Sequence, residues 1–315
     1  MTGYTVKRAG LLLSLVSAMA VSSWAEAQSC DRACLSGHLD KYLGAVVSHK
    51  PAAAGLFTGF RQTENSVVIP EGQGRWASAT ALGSVQRRYF DPAKNTAAYF
   101  GTVSESGKEA VVAIRVKVER DEVTEAEWMI SRQSDPGLTG EPGKTPFNLK
   151  TLADTLPVER NVAARDRLSR EALAAITNSY FDGITSKNDY IVKGHPGCSR
   201  YENGFPTFGT PIKGDGHLGL DGKSDCRTQG DFGVAIVGLR DYFLVDEQAQ
   251  IVMVNAVFIR DPKNPKRRNH FTELFHIDGG KIRSVHAAFY YPAPELPVPN
   301  WPPYDGHFPL PAQYQ

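Results

Sequence analysis

A weak internal duplication constrains this chain more than any other feature. Tyr42-Leu43 and Tyr180-Phe181 each sit late in an amphipathic helical pattern, and Thr63-Glu64-Asn65 and Tyr201-Glu202-Asn203 follow them at the same offset of 138 positions. Arg88-Tyr89-Phe90 then matches Asp241-Tyr242-Phe243 at an offset of 153, the difference falling in the loop from about Gly204 to Gly230. Near the ends, Val123 to Glu127 matches Ile282 to His286. Four anchors in one order mark a copied domain, because order is what duplication preserves.

Each copy reads as one helix followed by strands. Leu35, Leu39, Tyr42, Leu43 and Val46 recur at helical spacing after Asp31, and Leu173, Ile176, Tyr180, Phe181 and Ile184 do so after Ser169. In copy one, Ala110, Val112, Ile114, Val116 and Val118 alternate as a strand. In copy two, Ile251 to Ile259, Phe271 to Ile277 and Lys281 to Phe289 are long β-rich runs, with Asp278-Gly279-Gly280 as the turn between the last two. A helix packed on a long curved antiparallel sheet is an α+β layer. The expected division is a leader at 1–27, a first domain at 28–132, a linker at 133–168, a second domain at 169–291 and a tail at 292–315. That tail interleaves eight prolines with Trp301, Tyr304 and Phe308. It reads as an extended strap or pocket lid.

The leader has the marks of a secretory signal: Lys7 and Arg8, an apolar stretch from Ala9 to Val21, and the small-x-small pattern Ala25-Glu26-Ala27. Its apolar run is shorter than the roughly 20 residues a spanning helix needs. A secreted or periplasmic chain is expected, and export permits disulfides. Four cysteines allow three pairings. Cys30–Cys34 and Cys198–Cys226 are favoured, because the second closes a long Gly-rich segment that supports itself poorly. Lys+Arg is 35 against Asp+Glu 34, so bulk charge implies no nucleic-acid partner.

Helix, Thr63-Glu64-Asn65 or Tyr201-Glu202-Asn203, long strands, then a hairpin such as Phe275 to Ile282: this order resembles the SnoaL-like (nuclear transport factor 2-like) cone fold. The string from Cys30-Asp31-Arg32-Ala33-Cys34-Leu35 through Thr63-Glu64-Asn65 resembles a secreted family of fungi and bacteria with no settled function. The resemblance implies two tandem SnoaL-like cones, each an apolar chamber closed by a curved sheet. Isomerase-, dehydratase- and cyclase-like enzymes share that fold with non-catalytic binders, and no cofactor is typical, so a fold of this kind transfers no reaction.

Strand parity puts Glu273 on a face with Phe271, Phe275 and Ile277, either desolvated for acid–base work or tied to a cation. His286 shares a face with Ile282, Ser284 and Ala288, and an imidazole ordinarily titrates near neutrality and can shuttle a proton. With His195 they are the expected catalytic groups. Arg200, Asn255 and Trp301 are the expected substrate contacts, Arg200 also being a candidate partner of Glu202. No metal or cofactor is expected: the calcium-loop, zinc and phosphate-loop patterns are absent from the sequence. The leading expectation is a cofactor-free lyase, dehydratase or isomerase acting on a small apolar or aromatic oxygenated molecule. The alternatives are a secreted small-molecule binder and a carbohydrate or surface module. Neither a nucleic acid nor a membrane is an expected partner, and the chain is read as a monomer with an internal pseudo-dimer or as a homodimer.

Overall fold

The computed structural model describes residues 1–3, 30–208, 225–228, 233–261, 263 and 266–296. Residues 4–27 of the expected leader and Trp301 fall outside the described residues, as does most of the loop between Gly204 and Gly230. Helix α1 (Arg32–Val47) starts where the Asp31 carboxylate accepts the Cys34 N–H at 2.9 Å. β1 (Leu56–Glu64), β2 (Val67–Ile69), the single turn α2 (Arg75–Ser78), β3 (Ala79–Asp91), β4 (Thr96–Glu105), β5 (Lys108–Glu119) and β6 (Glu122–Ser131) complete the first half. A short helix α3 (Leu149–Thr155) lies between the halves. The second half repeats the pattern with α4 (Arg170–Ser186), capped by the Ser169 hydroxyl, then β7 (Gly194–Glu202), β8 (Phe205–Phe208), β9 (Val234–Asp246), β10 (Ile251–Arg260), β11 (Asn269–Asp278) and β12 (Lys281–Tyr290).

Two tandem α+β domains result. Their six-stranded mixed sheets have the orders β2-β1-β6-β5-β4-β3 and β8-β7-β12-β11-β10-β9. In each, the first strand pairs parallel with the last and every other neighbour is antiparallel. The Glu-Asn motif explains itself here. Asn65 and Asn203 adopt φ of 47° and 48° at the tip of the first hairpin, the left-handed conformation that suits asparagine in a two-residue turn. Each side chain then turns back onto the sheet. Asn65 donates to the Ile130 carbonyl at 3.0 Å and accepts the Ile130 N–H at 2.7 Å. Asn203 does the same with Phe289 at 3.1 and 2.8 Å. The motif therefore welds hairpin to final strand in both domains.

One anchor shifts. Asp91 pairs with Thr96 and Asp246 with Ile251 at the matching ends of β3 and β9, so the offset there is 155 rather than 153. Arg88-Tyr89-Phe90 stands opposite Phe243-Leu244-Val245. β9 carries irregularities in its pairing with β10, and such bulges are invisible to a sequence match.

Each helix covers one face of its own sheet, burying Leu39, Tyr42 and Leu43 in one domain and Tyr180, Phe181 and Ile184 in the other. The opposite faces pack against each other, forming a third apolar cluster that includes Tyr89, Phe100, Met129, Met253 and Leu274. Leu152 and Leu156, from the chain between the domains, insert into this cluster. Both disulfides, Cys30–Cys34 and Cys198–Cys226, are formed. They are compatible with an oxidising compartment. No described helix is long and apolar enough to cross a membrane.

Candidate binding pocket

Strand β7 brings Arg200 and Glu202 to the helix-facing side of the second sheet, and β11 brings Glu273 beside them. Arg200 donates through Nε and Nη2 to Glu273 Oε1 at 3.3 and 3.1 Å, and through Nη1 to Glu202 Oε1 at 2.5 Å and Thr207 Oγ1 at 3.2 Å. Glu202 Oε2 accepts from the Tyr291 hydroxyl at 3.4 Å. Glu273 is fully buried. Burial pushes its carboxyl up to about 7, Arg200 opposing through charge and hydrogen bonds, Glu202 adding to the rise. One guanidinium facing two carboxylates favours retention of a proton by the more buried acid.

This cluster forms one wall of a pocket of about 410 Å³. Phe258, Phe289 and Tyr291 make the apolar wall, Phe205 and Phe208 close the side, and Arg260 stands at the end of β10. The size and the mixture of aromatic lining with a few fixed polar groups are those of a small-molecule site. Glu273 lies behind Arg200 and is not among the described lining residues. A larger depression of about 650 Å³ beside Tyr190 presents chiefly exposed groups such as Lys187, Lys193 and Lys281, a solvated surface rather than a chamber.

The structure separates the expected catalytic pair. Glu273 stands opposite Ala287 in the β11–β12 ladder and faces α4, whereas His286 stands opposite Leu274 and faces the first domain. Residues directly opposite across a ladder share a face, so Glu273 and His286 cannot line one chamber. An irregularity between Ile282 and Ser284 also moves Ile282 off the His286 face. His286 is fully buried and stacks on Tyr201, with ring centroids 4.6 Å apart and planes at 16°. Burial lowers its pKa to about 3, with His276 adding and the Thr155 backbone opposing, so it is neutral at pH 7.

His195 sits at the start of β7, the opposite end from Arg200, with its ring Nε2 2.8 Å from the Asp278 carbonyl. It is not part of this pocket. Asn255 is also displaced from its expected role. It points between the sheets, donating to Glu127 Oε2 at 2.8 Å and accepting from Thr272 Oγ1 at 2.6 Å. Its amide engages one oxygen of a buried carboxylate of the first domain, whose pKa burial pushes up to about 7 against the opposing charge of Arg115. Of the expected contacts, Arg200 alone lines the pocket among the described residues.

Sequence reasoning missed Phe258, Phe289, Tyr291 and Arg260. The available signal was parity: Val252, Val254, Ala256 and Phe258 lie on one face of β10, and Phe289 stands opposite Phe271 across the ladder from β11.

Residues 166–289 match DUF8021, a domain of unknown function. The match spans α4 and the second sheet, the half that holds the pocket. No curated protein matches the chain. Among solved structures, a protein of unknown function with cystatin-like fold from Methylobium petroleophilum PM1 is similar, at 14% identity and a TM-score of 0.30, over 41% of this chain and 82% of that one.

Proposed function

We propose that the second domain is a binding chamber for a small, largely apolar molecule and that the protein holds its ligand without converting it. The observation that carries this reading is that the polar groups lining the pocket engage one another, while the one orphaned oxygen of the cluster, Glu273 Oε2, is buried behind Arg200 and off the lining. All three nitrogens of Arg200 are engaged by Glu273, Glu202 and Thr207, and Glu202 is held by Arg200 and Tyr291. A site built for proton transfer instead aims an uncommitted, pKa-shifted group at the reacting volume. The lyase or isomerase reading required Glu273 and His286 in one enclosure, and they face opposite ways. A SnoaL-like cone is the fold this reading adopts for each domain. Secretion is part of it as well, supported by the Lys7–Ala27 leader pattern and by two disulfides.

Incubation of the intact chain with a panel of small aromatic and aliphatic compounds, followed by native mass spectrometry, tests the proposal. A one-to-one complex that releases its ligand unchanged is expected. Conversion of a bound compound, abolished by Glu273→Gln in a variant that still folds, would overturn it in favour of catalysis.

A further inference from the structure

The first domain shows what fills this space when no ligand is needed. Strand pairing makes the positions equivalent. Gln62 lies beside Ala126 as Arg200 lies beside Val285, Glu64 beside Trp128 as Glu202 beside Ala287, and Glu105 ends β4 as Arg260 ends β10. In the first domain Arg75 and Trp76, from α2, occupy the chamber mouth. The Trp76 indole donates to Gln62 Oε1 at 2.8 Å and meets the Tyr42 ring edge-on at 5.6 Å. The Arg75 guanidinium lies between the carboxylates of Glu64 and Glu105. The domain thus carries a guest of its own: a planar ring joined to a cation, seated in an acidic mouth.

The second domain changes that mouth in two respects. Gln62 is replaced by Arg200 and Glu105 by Arg260, so the wall that held a cation now carries guanidinium groups, with Lys144 and Lys266 also on the lining. One oxygen each of Glu202 and Glu273 is already paired with Arg200. Val103 and Ile130 are replaced by Phe258 and Phe289, whose rings lie 6.0 Å apart at 66°. With Tyr291 edge-on to Phe289 at 5.4 Å they form a continuous aromatic wall, against which a further ring can pack.

We infer that the guest of the second domain is a planar aromatic molecule bearing a carboxylate, its ring against the aromatic wall of Phe258, Phe289 and Tyr291 and its anionic group toward Arg260. The inference rests on the reading of the pocket as a binding chamber and specifies the ligand by reversing the charge of the first domain's built-in plug. Arg260 already donates to the Arg267 carbonyl and to Asn269 Oδ1, which fixes the guanidinium plane. A preset guanidinium suits a planar carboxylate.

Isothermal titration of the intact chain with 2-naphthoate, 2-naphthamide, 2-naphthylmethylamine and decanoate tests it. Naphthoate should bind at least about tenfold more tightly than each of the other three, a difference of about 1.4 kcal/mol. Arg260→Gln should remove that preference over the amide, and Arg260→Glu should turn it toward the amine. Thermal melting checks that these variants fold, and the exposed Lys266→Glu should weaken naphthoate if they do not. Equal binding of naphthoate and naphthamide, insensitive to all three substitutions, would leave the chamber standing and overturn its charge assignment. Decanoate binding as well as naphthoate would overturn the aromatic one. If none of the four binds at millimolar concentration, both the inference and the chamber fall.

Discussion

Asp91 and Asp246 occupy the same position in the two domains, and each binds across into the other. Asp91 accepts the Val245 N–H at 2.8 Å and pairs with Arg170 at the start of α4. Asp246 accepts the Phe90 N–H at 3.0 Å and pairs with Arg32 at the start of α1 at 2.9 Å. Each also holds a backbone N–H three residues on, Lys94 for Asp91 and Ala249 for Asp246. Phe90 and Val245 immediately precede the two aspartates, and Arg32 and Arg170 differ by the same 138 positions as the repeat. Residue i meets j′ while j meets i′, the reciprocity of a two-fold interface. A single chain here packs as a dimer does.

Reciprocity makes the two aspartates interchangeable in cost. Asp91→Ala and Asp246→Ala should each destabilise the protein by about 3 kcal/mol, because each leaves a buried N–H and a partly buried arginine without an acceptor. Urea unfolding checks both. A loss well under 1 kcal/mol from either would show that domain packing does not depend on the exchange.

Asn65→Ala and Asn203→Ala should each cost about 2–3 kcal/mol. Two hydrogen bonds to the final strand are lost, and alanine tolerates the left-handed turn less well. Amide exchange should show faster opening at Ile130 in the first variant and at Phe289 in the second, with the other domain unchanged.

Histidine burial sets a pH dependence. The pKa of His286 falls from about 6.5 unfolded to about 3 folded, so between those values the unfolded chain binds the extra proton and stability falls as pH falls. His270, lowered to about 3, and His276, lowered to about 4, act in the same direction. Buried Glu127 and Glu273 oppose them, since acids raised to about 7 stabilise most below about 4.5 and lose that contribution as pH rises toward 7. His286→Leu should therefore remove about 1.4 kcal/mol per pH unit from the slope of stability between pH 4 and 6. An unchanged slope would place His286 in contact with solvent.

The disulfides should differ in weight. Cys198–Cys226 closes a separation of 28 residues and Cys30–Cys34 one of 4. Loop-closure entropy assigns them about 3.6 and about 1.9 kcal/mol. Paired Cys→Ala variants in thermal unfolding check the ranking, and thiol titration of the unfolded, unreduced chain should find no free thiol.

Much of this architecture is legible along the chain. Asp31 and Ser169 mark helix starts, the alternation Phe271, Glu273, Phe275, Ile277 places one carboxylate on an apolar face, and Arg200 with Glu202 reads as a pair. The role of His286 was not legible, because parity alone cannot say which face of a strand the helix covers. The ladder decides it, by setting Glu273 opposite Ala287 and Leu274 opposite His286. Strand β10 hides its polarity for a related reason: every residue from Ile251 to Ile259 is buried, one face by the helix and the other by the second sheet. An alternating pattern survives only where one face meets water.

Local rules thus determined the copies, their helices, their turns and the cysteine pairing, since each depends on neighbours within a few tens of residues. Tertiary structure alone decided that the sheets meet back to back and that Asn255 serves Glu127 rather than a ligand. Those outcomes depend on contacts between residues more than a hundred positions apart, and strand order, register and bulges set them.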